Sequence, residues 1–262
     1  MDMTEVAFNE LGNQYENLAN RGNPESFVEI SVLVPAHNEE GAIEDCLKRV
    51  TNVLRSKNSR YEIIVIDDGS TDKTYACSQE VARWDGGSVR IIRNASKCGK
   101  GAALMAASKK SRGEILVVLD ADLEYAPEDV LRVVDPIEQG VSDAVLGSRF
   151  RGQTDGMSLS HRLGNTVLTG TTNFLYGCQL TDVMTGYKAF RRTALEQLGI
   201  GEPGFGFEVE VAAKALRAGL RISEVPIKYR RRTSGRSKIR WIDGLRCLFD
   251  LFQLARRKRQ PA

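Results

Sequence analysis

Ile115-Leu-Val-Val-Leu-Asp120-Ala-Asp122 is an apolar run that ends in two carboxylates one residue apart. A continuous β-branched and leucine-rich run suits a strand buried on both faces, as in a parallel sheet covered by helices. Alternate side chains of a strand point the same way, so Asp120 and Asp122 are expected on one face, where they repel unless a cation lies between them. Oxygen ligands alone suit a hard divalent ion, Mg²⁺ or Mn²⁺. Working outward, Ile63-Ile-Val-Ile66 ends in Asp67-Asp-Gly-Ser-Thr-Asp72, and Ser31-Val-Leu-Val34 ends in Pro35-Ala-His-Asn-Glu39. Each stretch alone is ordinary turn chemistry, with Asp72 suited to cap the next helix. Three acid-bearing strand ends together point to one crevice, because open α/β sheets bind ligands outside the carboxyl ends of their strands.

From Ile30 onward short β-branched runs alternate with helical stretches. Strands are predicted at 30–35, 61–66, 88–93, 115–119 and 143–148, with helices at 40–56, 72–84, 100–111 and 127–139. Such alternation gives right-handed βαβ units and a mostly parallel, Rossmann-like α/β sheet flanked by helices. After Arg149 the rhythm breaks. Residues 151–160 read as loop, followed by a helix at 161–176, a short strand near 187–190, a helix at 206–218 and a strand at 222–227. Residues 1–28 read as a polar leader, 29–238 as the domain, and 239–262 as a basic amphipathic helix and tail.

The 262 residues, 42% hydrophobic, suffice for the core of one large domain. Five cysteines, odd in number and without C-x-x-C spacing, argue against a disulfide framework and a zinc site. The first residues are acidic and lead into no apolar stretch, and no run of about 18 apolar residues follows, so the chain reads as cytoplasmic and non-spanning. The net charge of +3 conceals a segregation: residues 228–262 carry twelve Lys and Arg against Asp243 and Asp250, which leaves 25 basic and 32 acidic residues elsewhere. A basic tail on an acidic body calls for an anionic partner: nucleic acid, a phosphate-bearing substrate or an anionic membrane surface. Nucleic acid is disfavoured, because no groove-reading motif appears. Trp241, Ile242, Leu245, Leu248, Phe249 and Phe252 recur at helical spacing beside Arg246 and Arg256-Arg-Lys-Arg259. That pattern suits a helix lying at a membrane interface, or one packed on the domain or on a membrane-anchored subunit.

Asn94-Ala-Ser-Lys-Cys-Gly-Lys-Gly101 is not a Walker loop, since Gly rather than Ser or Thr follows Lys100, and no G-x-G-x-x-G follows a strand. A nucleotide can still sit on the acids, with Asp67 near base or ribose, a metal on the pyrophosphate, and Lys97 or Arg149 neutralising the remaining charge.

Val34-Pro-Ala-His-Asn-Glu39, Asp67-Asp-Gly-Ser-Thr-Asp72, Gly99-Lys-Gly-Ala102, Asp120-Ala-Asp-Leu-Glu124, Gly147-Ser-Arg149 and Thr181-Asp182 through Gly186-Tyr-Lys188 together resemble the motif series of family 2 inverting glycosyltransferases. Within that family they most resemble the polyprenyl-phosphate branch, the dolichyl-phosphate mannose and glucose synthases. The resemblance covers residues 29 to 245 and implies a GT-A type fold. With Lys97 from the reading above, it implies a nucleotide-sugar site of Pro35, His37, Glu39, Val65, Asp67, Asp120, Ala121, Asp122 and Arg149. His37 stands where the synthases often have Tyr, and Glu124 where mannose synthases often have Gln. Asp120, Asp122 and Glu124 would be metal ligands, and Gly235-Arg-Ser-Lys238 looks like a basic loop that meets the acceptor phosphate.

The implied reaction is metal-dependent transfer of a hexose, with GDP-mannose the first donor to consider and UDP-glucose or UDP-GlcNAc next, to a polyprenyl phosphate. Inversion at C1 needs the leaving diphosphate stabilised and a nucleophile held in line. A lipid phosphate is already anionic, so Arg162, Arg232 and Lys238 would position it, and Asp182, or else Glu208 or Glu210, remains the candidate base or sugar-orienting acid. Asp122, Asp182 and Arg149 are the catalytic candidates. An alternative keeps the donor chemistry and takes a polysaccharide or soluble acceptor. A non-catalytic or nucleic-acid-binding protein is the remote one.

Overall fold

Runs of Val and Ile without polar alternation form the centre of the sheet, as a sheet covered on both faces requires. The structure, a computed structural model, describes residues 28–204, 206–232 and 241–256. The leader up to residue 27, the loop Gly235-Arg-Ser-Lys238 with its acceptor candidate Lys238, the side chain of Trp241 and the basic residues 257–259 lie outside the described residues.

In chain order the elements are β1 (Ile30–Ala36), α1 (Ile43–Ser56), β2 (Tyr61–Asp68), α2 (Thr74–Asp85), β3 (Val89–Asn94), α3 (Lys100–Lys110), β4 (Ile115–Val118), a 3₁₀ turn (Pro127–Asp129), α4 (Val130–Glu138), β5 (Ala144–Asp155), α5 (Leu159–Tyr176), β6 (Lys188–Arg191), α6 (Arg192–Glu196), α7 (Phe207–Arg217), β7 (Ile222–Arg230) and α8 (Trp241–Arg256). The sheet order is β3-β2-β1-β4-β6-β5-β7. Strand β6 runs antiparallel between β4 and β5, and the other pairs are parallel. Alternation along β1 sends Ile30, Val32 and Val34 to a core under α1, α2 and α4, and Leu33 to a second core under α3, α6 and α7. A third cluster joins α5, α7 and α8 through Leu168, Val209, Ala213, Cys247 and Leu251.

Three expectations change. Residues 151–155 are strand rather than loop: after an irregularity that follows Ser148, β5 re-pairs with β7 through Gln153, Thr154 and Asp155, opposite Lys228, Tyr229 and Arg230. Backbone hydrogen bonding across the bulge overrides the turn-like composition there. Helix α5 then starts at Leu159, capped by Ser158, whose hydroxyl accepts from His161 N. The metal-binding acids are not on a strand: β4 ends at Val118, and Asp120 and Asp122 stand in a turn whose Leu123 has φ 60°. Their side chains therefore take separate partners instead of sharing one strand face.

Candidate active site

The carboxyl ends of β1, β2 and β4 meet as the sequence suggests, and side chains knit the loops together. Asn38, at φ 54°, accepts from Thr71 N at 2.9 Å, while its own N–H donates to Ser70 Oγ at 3.0 Å. His37 Nδ1 lies 2.9 Å from the Asp68 carbonyl. Asp67 is fully buried; its Oδ1 accepts from Ser70 N at 3.0 Å, and Arg93 Nε pairs with Oδ2 at 3.1 Å. The Arg93 guanidinium in turn stacks over Tyr75 at 4.4 Å. Asp68 accepts from Asn94 Nδ2 and from the N–H groups of Cys98 and Gly99, at 2.8–2.9 Å, and so holds the loop that starts α3. Pro35 is half-buried beside this group. Val65 and Ala121 belong to the core, so only their backbone faces a ligand. Lys97 is exposed on the rim.

Two charged clusters follow from the turn after β4. Lys100 Nζ lies 2.7 Å from Asp120 Oδ1 and 2.8 Å from Glu208 Oε1, and Glu208 also pairs with the fully buried Lys188. Burial alone would raise Glu208, but the two lysines outweigh it and hold the carboxyl below its usual value. Glu208 is thus neither a helix cap nor a solvent-facing residue. Glu210 accepts from Glu202 N at 2.7 Å and pairs with Lys214. In the second cluster Arg232 pairs with Asp122, with Glu124 at 3.1 Å and with Glu39 at 3.9 Å. Burial, with Asp120 and Glu124 close by, pushes the Asp122 carboxyl up to about 7 although Arg232 draws it down. This cluster holds more negative charge than Arg232 compensates, the condition under which a divalent cation is favoured. Among the described residues no three acidic, His or Cys side chains form a ready-made metal cage. One or two carboxylates completed by substrate phosphates and water are a common way to hold Mg²⁺, and Asp120 and Asp122 fit it.

Arg149, next after Ser148 in β5 where the pairing with β7 is interrupted, is held in a fork by Asp182, with Nε and Nη2 each 2.7 Å from its oxygens. Asn165 of α5 donates to the same carboxylate at 2.7 Å, and Glu224 accepts from Asp182 N at 2.9 Å. Asp182 is fully buried, and Arg149 lies over Tyr229 at 5.7 Å. Arg162 is exposed on α5, over the Phe150 ring at 5.7 Å. Lys188, quoted only inside a motif and given no role, and Asn165 and Arg93, not singled out at all, are what the sequence reading missed. A lysine flanked by Tyr187 and Ala189-Phe190 was a signal for the first, because a buried ammonium needs a buried acid. No pattern marked the other two.

Residues 31–199 match the model of the family described as glycosyl transferase family 2. Polyprenol monophosphomannose synthase of Mycolicibacterium smegmatis is 33% identical over 218 residues, 79% of this chain and 80% of that protein. Dolichol-phosphate mannosyltransferase of Pyrococcus furiosus is 29% identical over 217 residues, 81% of this chain but 60% of that protein. Glucosyl-3-phosphoglycerate synthase from Mycobacterium tuberculosis, solved with phosphoglyceric acid, superposes with a TM-score of 0.66 at 24% identity, over 91% of this chain and 82% of that one, which establishes a common GT-A fold.

Proposed function

The chain belongs to glycosyl transferase family 2, and on that premise we propose that it moves a hexose, with inversion, from a nucleotide sugar to a polyprenyl phosphate with the help of Mg²⁺ or Mn²⁺. GDP-mannose is the first donor to test and UDP-glucose or UDP-GlcNAc the next. The names of the two relatives support the lipid-phosphate acceptor. The observation that carries the assignment is the cluster of Glu39, Asp122 and Glu124, in the loops that follow β1 and β4, which holds more negative charge than Arg232 compensates.

Asp120 and Asp122, with Glu124 beside them, would hold the ion, which when bound neutralises charge on the leaving nucleoside diphosphate. Pro35, His37, Glu39, Asp67 and the backbone of Val65 and Ala121 receive the nucleotide. Lys97 stands at the rim, and Arg149 faces the sugar phosphate. An oxygen of the acceptor phosphate forms its bond to C1 as the C1–oxygen bond to the diphosphate breaks, and the electron pair of that bond leaves with the nucleoside diphosphate. The nucleophile is anionic at neutral pH, so no base need deprotonate it. Asp182 accordingly serves by fixing Arg149, while Arg232, Arg162 and Lys238 are the cations for the acceptor.

A lipid acceptor brings the reaction to a membrane surface, on the cytoplasmic side in this proposal. No helix among the described residues is long and apolar enough to cross a bilayer. The outer faces of α5 and α8 are instead apolar, with Leu159, Leu163, Val167 and Phe174 on one and Ile242, Leu245, Phe249 and Phe252 on the other. Exposed Arg162, Arg246 and Arg256 flank them, which suits an anionic leaflet.

The test is transfer of labelled sugar from a panel of GDP- and UDP-sugars into butanol-extractable lipid, with and without Mn²⁺ and added polyprenyl phosphate. Metal-dependent label in the lipid is expected. Donor hydrolysis without lipid label would refute the acceptor and leave the donor site standing.

A further inference from the structure

Arg232 lies two residues beyond the end of β7, and its side chain is 15% exposed, reaching back over the acid cluster. Its Nη2 pairs with Asp122 Oδ2, its Nε lies 3.1 Å from Glu124 Oε1, and its Nη1 3.9 Å from Glu39 Oε1. The other oxygen of Asp122 accepts from Glu124 N at 3.0 Å. Both oxygens of the central acid are therefore engaged. The amide is part of the turn's backbone, at a residue next to Leu123 with its φ of 60°, whereas the guanidinium ends a long flexible side chain. A cation entering this cluster meets one partner of Asp122 that can leave, and it is the arginine.

Resting on the function proposed above, we propose that Arg232 is the resident counter-ion of the acid cluster, that a divalent ion displaces it, and that its guanidinium is thereby handed to the acceptor phosphate. Three carboxylates, each little exposed, need a positive charge whether or not a metal is present. A guanidinium supplies one such charge and a divalent ion two, so exchange lowers the repulsion that remains. The displaced guanidinium matches the oxygens of a phosphate in its donor geometry. Metal capture and acceptor capture thus become linked.

Mn²⁺ binding to the full chain is measured by electron paramagnetic resonance, with and without dimethylallyl phosphate as a soluble acceptor headgroup, in the wild type, Arg232→Gln and Arg232→Lys. Arg232→Gln is expected to tighten Mn²⁺ binding without the phosphate by about tenfold, the scale of one like charge removed beside a partly solvated cation. In the wild type the phosphate and Mn²⁺ are expected to tighten each other by the same factor, as linkage demands. That mutual effect should vanish in Arg232→Gln and persist in part in Arg232→Lys. Unchanged Mn²⁺ affinity in Arg232→Gln, or a mutual effect that survives it in full through direct contact of phosphate with metal, would overturn the exchange. Mn²⁺-dependent GDP or UDP binding is followed in parallel. If that persists while the exchange fails, the donor site stands without this inference; if Mn²⁺ binds no variant with or without nucleotide, the metal assignment itself falls.

Discussion

Exchanging Asp122 for Asn keeps the shape of the side chain and removes the charge that a divalent ion would meet. Turnover is expected to fall by about 10²- to 10⁴-fold, since the ion's charge stabilisation is worth several kcal/mol. The urea midpoint should stay within a small margin of the wild type, because burial already disfavours this carboxylate. A fully active Asp122→Asn enzyme would refute the metal role. Asp182→Asn separates two roles that the sequence left open. As a base, Asp182 could be lost without harm to the fold. As the fork under Arg149, its loss leaves a buried guanidinium uncompensated, and unfolding free energy should drop by about 3–5 kcal/mol alongside activity. Equilibrium urea unfolding decides between them, and an unchanged stability would return Asp182 to the list of bases. Asp67, Asp120 and Asp122 were legible because they end or closely follow an apolar run, whereas Asp182, in the loop before β6, was reached only through the motif resemblance. Their partners were not, since Asn165 and Arg93 sit in helix and strand positions where nothing in the local pattern distinguishes them from surface residues.

At the scale of elements, the alternation of β-branched runs with helical stretches marked out the strands and helices in their order, and β1 to α4 stand close to their expected bounds. The end of β5 was illegible because its pairing partner, β7, lies far along the chain, and loop-like Gly, Gln and Thr there are held by that partner's backbone. Likewise the turn after β4 looked like strand, since apolar periodicity says nothing of where hydrogen bonding stops. That turn is kept in place by the segment that enters β6. A Cβ on Gly186 would stand 2.2 Å from Asp120 Oδ2 and 3.1 Å from the Tyr125 ring. Gly186 N also donates to Tyr125 Oη at 2.8 Å. Gly186→Ala should therefore push Asp120 from its place beside Lys100, at a stability cost of about 1–3 kcal/mol, the usual scale of overpacking. Mn²⁺-dependent turnover is expected to fall at least tenfold, and added Mn²⁺ should recover part of it. Wild-type kinetics at low Mn²⁺ would mean that the segment before β6 does not set the position of Asp120.

For the whole molecule, the apolar stripes of α5 and α8 show what periodicity can and cannot tell. Of the stripe read from the sequence, Ile242, Leu245, Phe249 and Phe252 are exposed, while Leu248 packs partly against the core with Cys247, Leu251 and Leu254. Helix α5 is stranger, for it buries Asn165, Thr169 and Thr172 with Leu168 and turns Leu159 and Phe174 outward at 84% and 86% exposure. A stripe announces amphipathicity, but the polar inner face is chosen by Asp182, which Asn165 must reach. Two neighbouring helices that both turn large apolar side chains away from the core form a face larger than scattered surface hydrophobics explain. On an anionic bilayer this face would bury its apolar side chains, each worth roughly 1.5–3 kcal/mol when fully transferred, with the flanking arginines at the headgroups. Phe174→Glu with Phe249→Glu should thus lower partition onto phosphatidylglycerol-containing vesicles by about 100-fold. Transfer to a short, water-soluble isoprenyl phosphate should be unchanged, because neither residue touches the acid clusters or Arg149. Co-sedimentation with vesicles, read beside that soluble assay and the sedimentation velocity of the free chain, separates the outcomes. Vesicle binding that survives both substitutions, or a wild-type dimer that they dissolve, would assign the face to a protein partner or a second copy instead of the leaflet.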